Sequence, residues 1–476
     1  MNLIEILSIG LELLVVFATT ATTGNIFSRT FQELHEDPGP QASARAWVQT
    51  KWIDQKLDHF NESELRTWQM RYLANDEFYE KGGPMFIYVG GEWTISPGAI
   101  SRGHHYDMAK EHQGYLFYTE HRYYGQSKPV KDLSPDNMQY LHVRQALADL
   151  AHFIRVMKVT IPGMENSKVI LTGGSYSATM VTWFKKLYPE LATGCWASSA
   201  PLLAKRDFLE YKEVTGDSIR LLGGDSCYDR IQKAILELEA MISNNRSPSK
   251  MKCLLKICDN FNESNEMDVW TLFSQISDIF AGVVQNHSNN TIQKACSKIM
   301  EGEDDVGGLL NFLAPYFKGN KNCTEFSYDE MVKAYNYTSF DKGMYRQWFY
   351  QTCNEYGWYQ SSGSKNQPFG SKFPAKLYTQ LCYDEFGEKF TEEFIENQIK
   401  GTNQFFGALE PKVENVYMTH GQLDPWRAMG VQEEDKATII PLVAHCRDFG
   451  SINDKDTPEL RASKEKLAEL VREWLK

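Results

Sequence analysis

Residues 169–178 read VILTGGSYSA, an apolar run that ends in two glycines and a serine before a helical stretch begins. This pattern predicts a buried strand that turns sharply into a helix, with Ser175 on the turn. A serine there projects its hydroxyl beyond the carboxyl edge of a sheet, and the amino end of the helix offers N–H groups to a developing oxyanion. Ser175 is therefore a candidate nucleophile. Because Ser177 stands where the G-x-S-x-G pattern has glycine, a purely structural turn is the alternative.

Similar apolar runs on both sides of this motif predict more strands of the same sheet. They cover Met85–Val89, 114–118, Val413–Met418 and Ala437–Val443. Between the second run and the serine motif, apolar residues recur at helical spacing from Val143 to Val156. A strand, a helix and a strand in that order imply a parallel sheet with right-handed crossovers. The fold class is therefore α/β, and a helix that begins near Pro458 closes the chain.

The sheet pattern stops between residues 205 and 404, where helical periods, sequons and cysteines replace it. No buried strand is predicted in this segment. We therefore expect a sheet domain in two parts, 45–204 and 405–476, with residues 205–404 as a helical insertion between them.

The first 23 residues are expected to be a secretory signal peptide, because an apolar centre at Leu13–Ala18 precedes small residues. An uncleaved anchor or an ordinary helix is the alternative. No later window approaches the ~18 apolar residues that a bilayer crossing needs, so we expect no membrane association after cleavage. Glycosylation sequons also indicate the secretory pathway, with an extracellular or lysosomal destination. They lie at Asn61, Asn245, Asn262, Asn286, Asn289, Asn322 and Asn336.

The nine cysteines are unevenly distributed, and seven of them lie between residues 227 and 382. In a secreted chain this clustering predicts disulfides within the insertion. Because the number is odd, at least one thiol stays free, and Cys195 and Cys446 are the candidates. A zinc site is not supported, since Cys253 and Cys258 lack a second ligand pair at suitable spacing. We expect neither a metal nor a cofactor.

The composition excludes several other classes of protein. The 476 residues include 50 Lys+Arg and 62 Asp+Glu, which gives a net charge of −12 without a basic run. A nucleic-acid partner is not expected, because phosphate binding needs clustered cations. With 42 % apolar and 13 % aromatic residues, the chain is not a disordered one.

Two residues after the insertion can complete a catalytic triad with Ser175. A serine nucleophile needs a base, and the base needs an acid to orient it. Asp424 follows one late strand, and His445 follows the next one, 21 residues further on. The order serine, acid, histidine, each after its own strand, is that of α/β-hydrolases. A helix cap is the alternative role for Asp424, and a loop histidine for His445.

The chain resembles the serine carboxypeptidase family that contains lysosomal Pro-Xaa carboxypeptidase, dipeptidyl peptidase II and the thymus-specific serine protease, and is most similar to the thymus-specific branch. The resemblance spans about 55 to 450. It rests on Gly90–Trp93, Glu120–Gly125, Gln145–Asp149, Gly173–Tyr176, Ala197–Pro201, Gly421–Trp426 and Ala444–Cys446. It implies an α/β-hydrolase fold with a large helical, disulfide-containing cap, and it implies a Cys353–Cys382 disulfide. It also assigns Ser175 as nucleophile, His445 as base and Asp424 as the residue that orients it.

Relatives in this family cleave next to proline, which implies an apolar slot for the proline ring. Trp426 is the candidate wall, with core packing as its alternative role, and Thr179 lies near the slot by the same resemblance. The family usually has glycine at the position of Ala178 and a bulkier residue at that of Thr179, so proline preference is less secure than serine hydrolysis.

One charged side chain and two backbone N–H groups are expected to make the other contacts with the substrate. Glu92 either binds a charged peptide end or is a buried partner of Arg122. The oxyanion donors are expected to be the backbone N–H groups of Tyr176 and Gly91.

The expected function is that of a serine exopeptidase acting on peptides, with the cap admitting only thin peptide ends. A lipase or esterase shares the fold and the triad, but would not depend on proline or on a free peptide terminus. A non-catalytic binding protein on the same scaffold is the third hypothesis, and the presence of all three triad residues argues against it. A homodimer is compatible with the sequence.

Overall fold

The computed structural model describes residues 27, 34–42, 47–243, 248–317 and 323–476. The predicted signal peptide, residues 1–23, lies outside the described residues, and so do the sequons at Asn245 and Asn322. Within the described ranges, none of the helices combines the length and apolar character that a bilayer crossing requires.

In the described part of the chain, eight strands form one sheet in the order β1-β2-β4-β3-β5-β6-β9-β10. The pairs β1/β2 and β2/β4 are antiparallel, and the other pairs are parallel. The strands of this sheet are β1 Gln49–Lys56, β2 Thr67–Asn75, β3 Met85–Val89, β4 Tyr115–Thr119, β5 Val169–Gly174, β6 Gly194–Ser198, β9 Val416–Gly421 and β10 Ala437–Ile440. Two short strands, β7 Lys205–Asp207 and β8 Gly357–Tyr359, pair in parallel elsewhere.

Helices cover both faces of the large sheet and fill the insertion. They are α1 His104–Glu111, α2 Pro135–Met138, α3 Val143–Thr160, α4 Tyr176–Leu187, α5 Glu210–Gly223, α6 Asp225–Ser243, α7 Pro248–Leu255, α8 Glu266–Gln285, α9 Thr291–Met300, α10 Asp305–Leu313, α11 Tyr328–Tyr335, α12 Tyr345–Gln351, α13 Lys376–Phe386, α14 Glu392–Phe406 and α15 Pro458–Trp474. The apolar faces of α3 and α4 pack on one side of the sheet, and those of α1 and α15 on the other. This is the α/β-hydrolase fold, as the sequence predicted.

The insertion has a hydrophobic core of its own, built mainly from α6, α8 and the helices that follow. Three disulfides connect its segments. They are Cys227–Cys296, Cys258–Cys323 and Cys353–Cys382. The expected helical, disulfide-containing cap is therefore present. The free cysteines are the two candidates, Cys195 and Cys446, which are buried, and additionally Cys253, which is exposed.

The strand predictions were accurate where apolar runs are long and fully buried. The prediction for Met85–Val89 was correct at both ends. The last predicted strand ends earlier, at Ile440, because Pro441 has no N–H to donate and Leu442 has a positive φ of 58°. The prediction of no buried strand in the insertion was wrong, since the buried strand β8 pairs there with the half-buried β7. Strands of three residues are too short to produce a recognisable period.

The sheet brings three sequence positions to one edge. Ser175 follows β5, Asp424 follows β9, and His445 lies in the loop that leaves β10. Because β5, β6, β9 and β10 are neighbouring parallel strands, their carboxyl ends lie at the same edge of the sheet. That edge is where open α/β sheets bind their ligands.

Candidate active site

Ser175 lies on a strained turn between β5 and α4. Its backbone has φ 56° and ψ −131°, a region that residues with a side chain rarely adopt. The two preceding glycines are required by close packing. A Cβ on Gly173 would lie 2.3 Å from the carbonyl oxygen of Ser177, and a Cβ on Gly174 would lie 2.7 Å from the ring of Phe449. The turn therefore has the geometry that exposes a nucleophile.

Ser177, the departure from the G-x-S-x-G pattern, stabilises the turn with its side chain. Its hydroxyl accepts a hydrogen bond from the Gly174 N–H at 2.9 Å and donates one to the Gly174 carbonyl at 3.0 Å. The serine thus closes the turn through hydrogen bonds.

His445 and Asp424 form a buried pair. The Nδ1 atom of His445 lies 2.8 Å from Oδ1 of Asp424, and the side chains are 8 % and 0 % exposed. The same carboxylate oxygen accepts the Trp426 backbone N–H at 2.9 Å. With Nδ1 donating to Asp424, the Nε2 atom of His445 is left to accept a proton.

The pairing controls the charge of both groups. Burial opposes a charge on the imidazole, but the Asp424 carboxylate outweighs it and raises the pKa of His445 well above its ordinary value. Burial likewise opposes the charge on Asp424, and the neighbouring imidazole outweighs it and lowers the pKa of the carboxyl group. The pair therefore stabilises the imidazolium that a general base becomes after it accepts a proton.

Two other buried histidines lie near the triad elements. His121 follows β4, and its ring is within hydrogen-bonding distance of the Tyr176 hydroxyl, at 3.2 Å. His420 lies at the end of β9. Burial lowers the pKa of each to about 4, so both are neutral at physiological pH. Neither lines the cavity that contains Ser175.

Ser175 and His445 line one cavity of about 330 Å³. Glu92 lines it as well, whereas Tyr176, Gly91, Thr179 and Trp426 do not. The structure therefore brings the nucleophile, the base and one of the expected substrate contacts to the same space.

The backbone positions of the expected oxyanion donors are at the carboxyl edge of the sheet. Tyr176 begins α4, and Gly91 follows β3. Within the described part of the chain, the backbone N–H groups of these two residues donate to no protein acceptor. A side chain larger than hydrogen is excluded at Gly91, because a Cβ there would lie 2.6 Å from the Trp93 ring.

Glu92 is buried, and it does not pair with Arg122. The Arg122 guanidinium instead binds Asp149 through two hydrogen bonds of 2.7 and 2.8 Å. One carboxylate oxygen of Glu92 lies 3.2 Å from Nδ1 of His35. Among the described residues the other oxygen has no hydrogen-bond partner. A buried carboxylate with an unpaired oxygen beside a cavity is suited to a cationic group of a ligand.

Trp426 supports an aromatic wall from behind. Its ring packs edge-on against Trp358 at 5.6 Å, and Trp358 is stacked with Trp348 at 6.1 Å. These two residues, with Leu34 and His35, line a second cavity of about 110 Å³. Leu34 also lines the catalytic cavity, so the two spaces adjoin.

Thr179 has a structural contact instead. It is fully buried, and its hydroxyl donates to the Pro201 carbonyl at 2.8 Å, which ties α4 to the loop after β6. Its predicted role beside a proline slot stays a prediction.

The described sequons differ in exposure. Asn61, Asn262, Asn289 and Asn336 are exposed. Asn286 is half-buried, and it lines the catalytic cavity. A glycan at Asn286 would therefore stand at the mouth of the site, whereas the other four would lie on the open surface.

Sequence reasoning missed Gln285, the last residue of α8. Its carbonyl accepts the His445 backbone N–H at 3.3 Å. Its side-chain oxygen accepts the Trp426 indole N–H at 2.9 Å and the Tyr211 hydroxyl at 2.7 Å. Gln285 thus joins the cap to the loop that carries the histidine. A glutamine at the end of an amphipathic helix gives no local signal of such a role.

Replacing Gln285 by leucine is expected to lower the free energy of unfolding by about 1–3 kcal/mol, because two buried donors lose their acceptor. We also expect kcat to fall about tenfold or more, since small displacements of a catalytic group are costly. The measurements are urea unfolding and steady-state kinetics. Gln285→Glu keeps an acceptor oxygen, so its free energy of unfolding and its kcat should both fall less. Unchanged kcat in a folded Gln285→Leu variant would contradict a positioning role.

Comparison with known proteins supplies independent evidence. A family model described as Serine carboxypeptidase S28 matches residues 55–467. A Caenorhabditis elegans protein named as a serine protease is 28 % identical, with 90 % of this chain and 88 % of that protein covered. The thymus-specific serine protease of Mus musculus is 28 % identical, with 94 % and 92 % covered. The lysosomal Pro-X carboxypeptidase of Bos taurus is 27 % identical, with 89 % and 87 % covered.

Proposed function

Because the chain belongs to the serine carboxypeptidase S28 family, we propose that it is an exopeptidase that cleaves peptide bonds next to proline through Ser175, His445 and Asp424. It is a serine-type peptidase, and peptides are its substrates. The observation that carries the proposal is the shared cavity of Ser175 and His445, with Asp424 bound to the other side of the imidazole.

The proposed reaction proceeds through an acyl-enzyme. The Ser175 oxygen attacks the scissile carbonyl while His445 Nε2 takes the hydroxyl proton, and the carbonyl oxygen becomes an oxyanion facing the Tyr176 and Gly91 N–H groups. His445 then gives the proton to the departing amine, and the C–N bond breaks. Water, deprotonated by the same histidine, attacks the ester and releases the acid.

Glu92 favours recognition of the amino end of the peptide. Glu92 lines the catalytic cavity, and among the described residues one of its carboxylate oxygens has no hydrogen-bond partner. A free α-ammonium group would satisfy that oxygen with a charge-assisted hydrogen bond. We therefore propose that the enzyme releases short amino-terminal fragments, since the amino end lies on the acyl side of the cleaved bond.

The second cavity is the proposed slot for the proline ring. Trp348 and Trp358 provide flat apolar walls there. Such walls suit a rigid ring without hydrogen-bond donors. Trp426 would act on this slot indirectly, by holding Trp358 in place.

A location in the secretory pathway is proposed from the three disulfides and from the lysosomal relative. A base must be neutral to accept a proton, and the pKa of His445 is raised by Asp424, so peptide hydrolysis is expected to increase with pH wherever the enzyme is located.

A substrate panel tests the proposal. It contains Xaa-Pro peptides with free or acetylated amino ends, Pro-Xaa peptides with free or amidated carboxyl ends, and a simple aliphatic ester. We expect cleavage after proline in peptides with a free amino end, and acetylation should lower kcat/KM by about 100-fold, since it leaves the Glu92 charge without its partner. Product masses identify the bond that is cut.

Glu92→Gln provides the matched variant for this panel. It keeps the size of the side chain, and should lower kcat/KM for free amino ends much more than for acetylated ones. Release of carboxyl-terminal residues would contradict the assignment of Glu92. Turnover of the ester alone would support the lipase or esterase hypothesis instead.

A further inference from the structure

A segment near the amino end of the chain lies across the catalytic cleft. Residues Leu34–Ala42, here called the strap, precede β1 and lie far from Ser175 in sequence. Among the described residues, sixteen line the catalytic cavity, and seven of these belong to the strap. The strap therefore forms much of the wall of the cavity that contains the nucleophile and the base.

Polar contacts anchor the strap to residues of the site. The Gln285 side-chain amide donates to the Leu34 carbonyl at 2.7 Å. His35 lies 3.2 Å from Glu92 and packs against Trp348 with ring centroids 5.2 Å apart. These are the groups to which the preceding section assigns the peptide amino end and the proline ring. The strap thus occupies contacts that a substrate would need.

The middle of the strap fits closely against small residues. A Cβ on Gly174, the residue before the nucleophile, would lie 2.9 Å from the Pro38 ring. A Cβ on Gly98 would lie 1.4 Å from the Pro40 carbonyl oxygen, and a Cβ on Gly103 would lie 2.6 Å from the Pro40 ring. Beyond these contacts, the Ser96 hydroxyl donates to the Asp37 carboxylate at 3.1 Å. The strap therefore packs closely against the surface beneath it.

We propose that the strap is an intramolecular occupant of the substrate cleft, and that peptides enter only after it leaves. This inference rests on the proposed function, because it concerns access to the same site. The ligand class that the cleft accepts is then a short peptide containing proline, of which residues 34–42, LHEDPGPQA, are an internal example. The opposite hypothesis is that the strap is a permanent wall of the working site, which peptides need.

Controlled cleavage of the folded protein distinguishes the two hypotheses. A recognition sequence for a specific protease is inserted between Ala42 and Trp47 of the full chain, and the protein is cut after folding. The cut is made in the natural background and in a variant with His35→Ala and Asp37→Ala, which loses two anchors and releases the fragment more readily. Mass spectrometry follows release of the amino-terminal fragment.

We expect kcat/KM for the free-amino-end peptide substrate to rise at least tenfold when the fragment is released. A synthetic peptide of residues 34–42 should then inhibit the cut enzyme competitively, and a scrambled peptide of the same composition should not. Equal or lower activity after release would overturn the proposal. Competitive inhibition by the scrambled peptide at the same concentration would also overturn it.

Labelling of Ser175 by a small fluorophosphonate separates this proposal from the proposed function. If the cut protein is labelled but hydrolyses peptides no faster than the uncut protein, the strap proposal fails and serine catalysis stands. If neither form is labelled and neither hydrolyses peptides, the proposed function fails.

Discussion

Replacement of Ser175 by alanine is expected to lower kcat/KM for peptide hydrolysis by about 10⁴-fold or more, in both the uncut and the cut protein. The variant keeps the turn but removes the oxygen that forms the acyl-enzyme. Steady-state kinetics on the free-amino-end peptide measures the loss. Labelling by a fluorophosphonate should disappear in the same variant, while substrate binding at the cleft is retained.

Ser177→Ala is the matched control for this loss. It also removes one hydroxyl from the turn, but a structural one that bonds Gly174. We expect the free energy of unfolding to fall by about 1 kcal/mol, and fluorophosphonate labelling of Ser175 to persist. If the Ser175→Ala protein still hydrolysed peptides at more than a hundredth of the natural rate, Ser175 would not be the nucleophile.

Replacement of Asp424 by asparagine is expected to lower kcat by about 10⁴-fold, because an amide can no longer hold the imidazole in the required tautomer. The variant should also change the pH dependence. The carboxylate raises the pKa of His445, so its removal lowers that pKa. In a plot of kcat/KM against pH, the rising limb should therefore move to lower pH, although kcat/KM is lower than in the natural protein at every pH.

Asp448→Asn is the control for the pH profile. Asp448 is also a buried carboxylate near the sheet edge, but it accepts hydrogen bonds from Ser198 and Thr419, each at 2.6 Å. Its replacement should leave the position of the rising limb unchanged. A limb that stays in place in Asp424→Asn, or moves equally in both variants, would contradict the assignment of Asp424 as the partner of the base.

Local sequence patterns were sufficient to predict those parts of the structure that depend mainly on residues close together in sequence. The apolar run at Met85–Val89 is a strand because every side chain in it is buried. The glycines before Ser175 mark the turn because a Cβ there would collide with backbone or with an aromatic ring. Asp424 and His445 could be identified since each follows its own strand in the order that a parallel sheet requires.

Contacts between distant segments were not predictable in the same way. Arg122 binds Asp149 rather than Glu92, and nothing local distinguishes these two buried carboxylates. Trp426 packs edge-on against Trp358, a contact that its place beside Asp424 in the sequence did not indicate. Both outcomes depend on how helices and loops from separate parts of the chain come together.

The amino-acid sequence by itself determined several buried strands, the nucleophile turn, the cap and the three triad candidates, because strands, turns and helices are encoded by short-range patterns of apolar and small residues. Only the tertiary structure decided the order of the strands in the sheet, that Gln285 joins the cap to the histidine loop, and that Leu34–Ala42 lines the catalytic cavity. The contacts of Gln285 and of the strap described above join residues separated by 57 positions or more. They form only when the whole sheet and cap have packed, so no short-range sequence pattern predicts them.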